Sequence, residues 1–381
     1  MSAEFNHYDL KMIKPHFDSS ITDLIIDLDH LRKKRLRGTT RPKIFFQLKD
    51  IFHTLESIGS ARIEGNRTTI AEYIETKLDS KNTKDEKIIE IKNMEKAMDF
   101  IDNNINNTVI NRIFLSELHK VVVKNLSPTK EGDYTPGIYR TKNLVIANSR
   151  HRPPDFTQAT NYMDRFFEFI NDNSASKYDL LKTAIAHHRF VWIHPFGNGN
   201  GRTVRLFTYA MLVKQGFNVN QGRIVNPTAV FCNNRNKYYD FLSRADSGTE
   251  EGILEWCEYV LTGLRKEIDK IDKLLNYDYL SSAILHPAVL FSRERQVITE
   301  TEAKILKVAV DKQVFQASDI RKLFPGKLPA EISRMLRKLK ERKMIVAEKK
   351  DSRKYTICFY NNFLLRGIII MLDKNGFLPI K

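Results

Sequence analysis

The sequence predicts a mostly α-helical protein: a helical core, one short β-hairpin, and a C-terminal unit of three helices and two strands. Three observations lead there. Apolar residues recur at three- and four-residue spacing through most of the chain, the period of a helix with one buried face. Residues 126–155 interrupt that period with Pro128, Gly132, Pro136, Gly137, Pro153 and Pro154. From Thr299 the chain turns basic and reads helix, helix, helix, strand, strand.

Composition bounds the rest. A length of 381 residues suits two or three domains. The 42% hydrophobic and 28% charged content is that of ordinary globular chains. No apolar run reaches the roughly 18 residues that a membrane span needs, so no membrane partner is expected. Met1 to His7 lacks the basic-then-apolar layout of a signal segment. Cys232, Cys257 and Cys358 are scattered and lack metal-ligand spacing, which fits a reducing cytoplasm. The net charge of +16 favours acidic partners such as nucleotides or nucleic acid without selecting among them.

Taken in order, Leu24, Ile25, Leu28 and Leu31 predict a helix over 21–36, ending in the basic run Arg32 to Arg35. Ile44, Leu48, Ile51, Phe52, Leu55 and Ile58 form the stripe of a long helix over 43–64. Ser60 and Glu64 share its last-turn face, and Gly65 reads as its stop, followed by Asn66. Thr68-Thr69 opens another helix. Residues 77–87 read as a loop, and helices follow over 86–104 and 111–125. His119 lies on the apolar face of the latter and reads as a core or boundary histidine. Gly137 to Ile146 has the length and composition of a short hairpin. Helices are expected over 156–172, 178–193 and 251–275. Residues 276–298 read as a linker. Residues 297–354 hold 16 Lys and Arg against 8 Asp and Glu. Their layout is that of a winged helix-turn-helix, with Ser333, Arg334, Arg337, Lys338 and Lys340 on the third helix. Contact with DNA phosphates and a role as a protein-contact module both fit that pattern.

The chemistry concentrates in His194-Pro195-Phe196-Gly197-Asn198-Gly199-Asn200-Gly201-Arg202-Thr203-Val204-Arg205. An apolar helix runs into this stretch and a second leaves it. Glycines let the backbone turn and a ligand approach closely. The free N–H groups of the second helix welcome an anion. Arg202 and Arg205, three apart, suit a polyphosphate. His194 at the opposite lip is the side chain most readily tuned as a base near neutral pH. Base, phosphate cradle and two arginines together read as a phosphoryl or nucleotidyl transfer site.

This stretch resembles the signature of the Fic family, H-P-F-x-D/E-G-N-G-R-x-x-R, at every fixed position except Asn198, which stands where the family has an acid. Ser60 to Asn66 resembles the family's inhibitory motif, S/T-x-x-x-E-G/N. The resemblance implies a Fic-type helical bundle over 111–275, with an N-terminal region over 1–110 carrying inhibitory residues Ser60, Glu64, Gly65 and Asn66. The linker and a winged-helix unit over 299–381 would follow. It implies transfer of AMP from ATP to a Ser, Thr or Tyr hydroxyl of a protein, self-modification included, with His194 as base. Gly199, Asn200, Gly201, Arg202, Thr203, Val204 and Arg205 would hold ATP, with Glu64 pairing to Arg205 until released. Tyr238, Tyr239 and Asp246 would line the adenine and ribose site. The hairpin, through Arg140, Leu144, Val145 and Ile146, would be the flap that docks the target by strand-like pairing. Mg²⁺ or Mn²⁺ would be held near Asn198, whose amide adds no negative charge. Three alternatives stay open: removal of AMP, transfer of another nucleotide, and a DNA-binding regulator with a vestigial core. A homodimer is compatible with all of them.

Overall fold

The computed structural model describes residues 5–33, 38–78, 84–146, 149–173, 175–217, 227–360 and 363–378. Lys34 and Arg35 of the basic run, and 79–83 of the expected loop, lie outside the described residues. The helices are α1 (Ser20–Lys33), α2 (Pro42–Ile63), α3 (Ile70–Leu78), α4 (Glu86–Asn104), α5 (Arg112–Val122), α6 (Ala159–Asn171), α7 (Asp179–Ile193), α8 (Asn200–Lys214), α9 (Pro227–Cys232), α10 (Arg235–Ala245) and α11 (Glu250–Leu275). Among the described residues, no helix is long and apolar enough to cross a membrane.

Two helices sit at the centre. Nearly every residue of α7 and α8 is buried, Arg202 and Arg205 included. On one side, Phe190, Trp192, Phe196 and Phe207 pack with Met94, Phe114, Leu118 and Phe166 of α4, α5 and α6. On the other, Leu181, Ile185 and Leu212 pack with α1, α10 and α11 through Leu28, Tyr238 and Trp256.

Helix α2 joins this bundle to everything downstream. Pro42 starts it, at a position where a missing N–H costs nothing. Gly65, at φ +105°, ends it, and the N–H of Asn66 closes on the Ala61 carbonyl at 3.1 Å. At about 1.5 Å per residue the helix spans roughly 33 Å. Its first half, Ile44 to Leu55, belongs to a core built with the C-terminal residues. Ile58 and Ala61 join Tyr73, Ile88 and Ile91, and Ile63 reaches the core around Trp256.

Residues 276–298, expected as a linker containing a short helix, are mostly helical and their apolar side chains are core. They form α12 (Tyr277–Tyr279), a π-helical turn (Leu280–Leu285) and α13 (His286–Glu294). Tyr277, Leu280, Ile284, Leu285, Ala288 and Val289 are all buried. Polar flanks and Pro287 mimic a linker in sequence; burial came from neighbours far away in the chain.

Beyond it the order is α14 (Glu300–Lys312), β1 (Phe315–Gln316), α15 (Ala317–Arg321), α16 (Pro329–Glu341), β2 (Ile345–Ala347), β3 (Lys354–Ile357) and α17 (Leu365–Lys374). The strands form one antiparallel sheet of order β1-β3-β2, with Phe315 opposite Tyr355 and Val346 opposite Thr356. Thr299 and Glu302 make a capping box on α14, and Arg342 grips both Glu302 oxygens at 2.7 Å. Helix α17, which sequence periodicity missed, packs on α13. The N-terminus of α2 fastens to β2 and β3: Lys43 Nζ donates to the Ala347 and Glu348 carbonyls, and Gln47 bonds Ile357 and Phe359.

The expected hairpin over 137–146 is also corrected. Among the described residues, no strand lies there. The segment runs as a single chain across the signature loop, with the Arg140 N–H donating to the Pro195 carbonyl at 2.8 Å. Its apolar residues read as strand by composition, but the partner it found was a loop.

Leu285→Ala is expected to cost about 2–5 kcal/mol, the range for a cavity in a packed core. A residue of a solvated linker would change stability by under about 0.5 kcal/mol. The denaturant midpoint of the full chain distinguishes the two.

Candidate functional site

The loop between α7 and α8 turns on two left-handed residues. His194 caps α7 at φ 52°, and Gly199 precedes α8 at φ 71°. A left-handed histidine is uncommon and costs energy, so surrounding contacts must hold it. They do. Arg140 Nε donates to the His194 carbonyl at 3.0 Å, and His151 Nε2 donates to the Trp192 carbonyl at 2.8 Å. The Asn200 side chain brackets the loop, accepting from Phe196 N–H at 3.0 Å and donating to its carbonyl at 2.9 Å. His119 stacks flat on Phe196 with ring centres 3.8 Å apart. It takes the Gly137 N–H on Nδ1 and donates from Nε2 to the Asn198 carbonyl, both at 2.9 Å.

These contacts fix protonation. Burial lowers both His119 and His194 to about 4, so both are neutral at ordinary pH. His194 Nδ1 lies 3.3 Å from the Val191 carbonyl. A carbonyl only accepts, so Nδ1 carries the proton and Nε2 keeps its lone pair.

Arg205 is 1% exposed, and Ser60 and Glu64 take its Nε and Nη2. Nε donates to Ser60 Oγ at 2.8 Å, and Nη2 donates to the Ser60 carbonyl at 3.1 Å and to Glu64 Oε1 at 2.7 Å. Burial pushes the Glu64 carboxyl up, but Arg205 and Arg202 together hold it below its ordinary value. Glu64 also lies against Gly201, on the first turn of α8, where any β-carbon would collide with its Oε1. Its carboxylate thus occupies the place a phosphate would take at that helix N-terminus. At the C-terminus of α2 a carboxylate opposes the helix dipole, so its position depends on Arg205.

Arg202 is held elsewhere. Nη1 meets Glu90 Oε1 of α4 at 2.9 Å; Nη2 meets the Glu131 carbonyl at 2.8 Å and its Oε2 at 3.0 Å. Asn66 donates to Glu90 Oε2 at 2.8 Å, which ties the motif after α2 to the same network. Burial raises Glu90 despite the nearby Arg202.

Residues 110–212 match the model of the Fic/DOC family. The chain thus carries a Fic/DOC domain over residues 110–212. It is 28% identical over 250 residues to "Protein adenylyltransferase Fic" of Culex quinquefasciatus, covering 64% of this chain and 45% of that protein. The Drosophila yakuba protein of the same name is 31% identical over 202 residues, covering 51% and 37%. The chain therefore spans less than half the length of these relatives. In fold it is similar to a Fic family protein from Desulfovibrio desulfuricans G20, at TM-score 0.57 and 17% identity, covering 91% of this chain and 98% of that one. It is also similar to a Fic domain containing signaling protein from Bacteroides thetaiotaomicron, at TM-score 0.53 and 17% identity, covering 68% and 97%.

The Fic loop gathers His194, Glu64, Gly201, Arg202 and Arg205. Among the described residues the N–H groups of Asn200 and Gly201 have no partner, whereas the Gly199 N–H is taken by Asn198 Oδ1 at 2.7 Å. Thr203 and Val204 are buried in the core behind the loop. Tyr238 is buried, with its hydroxyl 3.0 Å from His187 Nε2. Tyr239 is 42% exposed beside Arg235, and burial together with the Glu64 charge raises its hydroxyl pKa. Asp246 bonds His188 Nε2 at 2.9 Å, under the N-terminal Tyr8. On the flap segment Val145 is exposed and Leu144 and Ile146 are half-buried. A groove of about 550 Å³ between α10 and α11 contains no signature residue.

Asn198 is not arranged as a metal ligand. Its Nδ2 donates to the Lys130 carbonyl at 2.7 Å and the Gly132 carbonyl at 3.0 Å, while Oδ1 is on Gly199 N–H. Among the described residues no three His, Cys, Asp or Glu side chains cluster as a metal site. The donor set here does not fit the divalent cation that the resemblance implies at Asn198.

Glu90, Glu131 and Asp133 are neighbours of the loop that sequence reasoning passed over, whereas His119 is the core histidine it expected. Each lies on an ordinary helix or loop with no motif around it.

An Asp at 198 would set an oxygen against two carbonyls in place of two donated bonds. Asn198→Asp is expected to lower stability by about 2–3 kcal/mol, read as a urea-midpoint shift in EDTA. An unchanged or raised midpoint would count against this account of the side chain.

Proposed function

We propose that this chain transfers AMP from ATP to a protein hydroxyl, and that Glu64 restrains the reaction. The observation that carries this reading is the Glu64 carboxylate lying on Arg205 and against Gly201, in the anion position of the α8 N-terminus. ATP and Glu64 compete for one cation and one helix end. With Glu64 displaced, the Asn200 and Gly201 N–H groups and Arg205 hold phosphate oxygens and align the triphosphate.

His194 supplies the base. The attacking hydroxyl gives its proton to Nε2 as its oxygen bonds the α-phosphorus. The α–β bridging bond breaks, and pyrophosphate leaves with that electron pair. Positioning and charge stabilisation supply most of the rate. Residues 142–146 dock the target: among the described residues their N–H groups donate to no other segment, so they offer an edge for strand-like pairing. Arg140 anchors that edge to the loop through the His194 and Pro195 carbonyls. The relatives named protein adenylyltransferase support the reaction class.

A second partner is favoured by α16. Ser333, Arg334, Arg337 and Lys338 are exposed along one face, and of these, among the described residues, only Arg337 is in an ion pair, at 3.9 Å to Glu341. The helix–strand–helix–helix–strand–strand order around it is that of a winged helix, and we read this face as one that contacts DNA phosphates. Binding of the full chain to duplex DNA should weaken steeply with salt, and Arg334→Ala/Lys338→Ala should lower the salt slope by about 2. Salt-independent binding, or none, would remove DNA as the partner.

With α-labelled ATP, Glu64→Gly should raise self-labelling at least about tenfold. Adding His194→Ala should remove about 10²–10⁴-fold of the rate. Label that persists without His194 would discard the base assignment. Because burial depresses His194 to about 4, the neutral base is present above that pH. The rate of Glu64→Gly should then show no acid limb near 6.5, the ordinary histidine value, and should fall only as pH approaches 4.

A further inference from the structure

We propose that Glu131, seated by Asn198, is a second restraint on the phosphate site, acting on Arg202 as Glu64 acts on Arg205. The inference rests on the ATP reading above and adds a residue and a role that the signature does not contain. Its basis is geometric. Asn198 Nδ2 donates to the carbonyls of Lys130 and Gly132, the two residues that flank Glu131. Asp133 completes the clasp by accepting the Asn198 N–H at 2.9 Å. Held at both sides, Glu131 lays its carbonyl and its carboxylate on Arg202 Nη2.

Charge makes the consequence. The two arginines carry a formal +2, and Glu64, Glu90 and Glu131 carry a formal −3. A polyphosphate therefore meets a site with no net attraction, and removing Glu64 alone only brings the formal sum to zero. Of the remaining two, Glu90 is 3% exposed on a helix and also holds Asn66, so it is a fixed partner. Glu131 is 40% exposed on a loop, so it can swing into water and leave Arg202 Nη2 to a phosphate. Arg202 Nε, buried and without a partner among the described residues, is a further donor on that guanidinium. The amide at 198 makes this clasp and the acid of the signature could not, because a carboxylate cannot donate to two carbonyls. The exchange of acid for Asn at this position thus removes a negative ligand and installs a positioning residue for Glu131.

The test is ATP binding to the full chain by equilibrium dialysis in EDTA, at low and high salt, for wild type, Glu64→Gly, Glu131→Gln and the double variant. Glu131→Gln should tighten ATP about 3- to 10-fold, both alone and on top of Glu64→Gly, and the gain should shrink with salt. Asn198→Ala, which frees the loop without adding charge, should reproduce part of that gain. Glu131 is partly exposed, so an unchanged melting curve for Glu131→Gln is expected and separates this effect from misfolding. If Glu64→Gly tightens ATP and Glu131→Gln does not, the second restraint is wrong and the proposed function stands. If no variant binds ATP, the ATP reading fails and takes this inference with it.

Discussion

A buried cation needs a counter-charge, and Arg205 sets that requirement at the centre of this fold. It is fully buried between α8 and the end of α2, where an unpaired guanidinium would cost several kcal/mol. Ser60 and Glu64 answer it from one turn of one helix. The same contact closes the helix pair α2–α8, orients the end of α2, and fills the anion position of the signature loop. Under the proposed function, structure and restraint are one interaction. The buried guanidinium is neutralised by a carboxylate of the same chain.

That arrangement gives α2 an unusual position in the architecture. Its N-terminal half is part of the core shared with the sheet and with α13, α14 and α17, and its last turn carries Ser60. Lys43 and Gln47 tie its beginning to β2 and β3, and Glu64 and Asn66 tie its end to Arg205 and Glu90. A rigid rod about six turns long thus touches both the basic C-terminal unit and the signature loop. The core across residues 276–298 makes the same point, since no solvated joint separates the two regions.

Much of the site was legible because its chemistry is local. Positive φ at Gly199, the open N–H groups of α8 and the spacing of Arg202 and Arg205 are all properties of a dozen consecutive residues. Helices were equally legible where one face is apolar, as in α2, whose stripe matched its buried residues. Failures came where environment decides. Gly137 to Ile146 had strand-like composition, yet its hydrogen bonds went to Pro195 and His194. Asp246 was placed with the nucleotide by resemblance, and the fold spent its carboxylate on His188. Asn198 looked like a weakened metal ligand, and its amide turned out to be committed to two carbonyls.

By itself, the sequence determined that the chain is mostly helical, that a glycine-rich anion loop joins two apolar helices, and that His194 and two arginines flank it. Those features follow from backbone freedom, periodicity and side-chain type, which neighbours in the chain specify. Only the tertiary structure decided which carboxylates face the arginines, that Glu90 and Glu131 share Arg202, and that His119 and Arg140 brace the loop. Ion pairs and buried hydrogen bonds form between residues brought together by packing, and no local pattern marks them in advance. The same physics fixed the protonation of His194: burial and a single carbonyl, both supplied by the fold, leave Nε2 with a free lone pair.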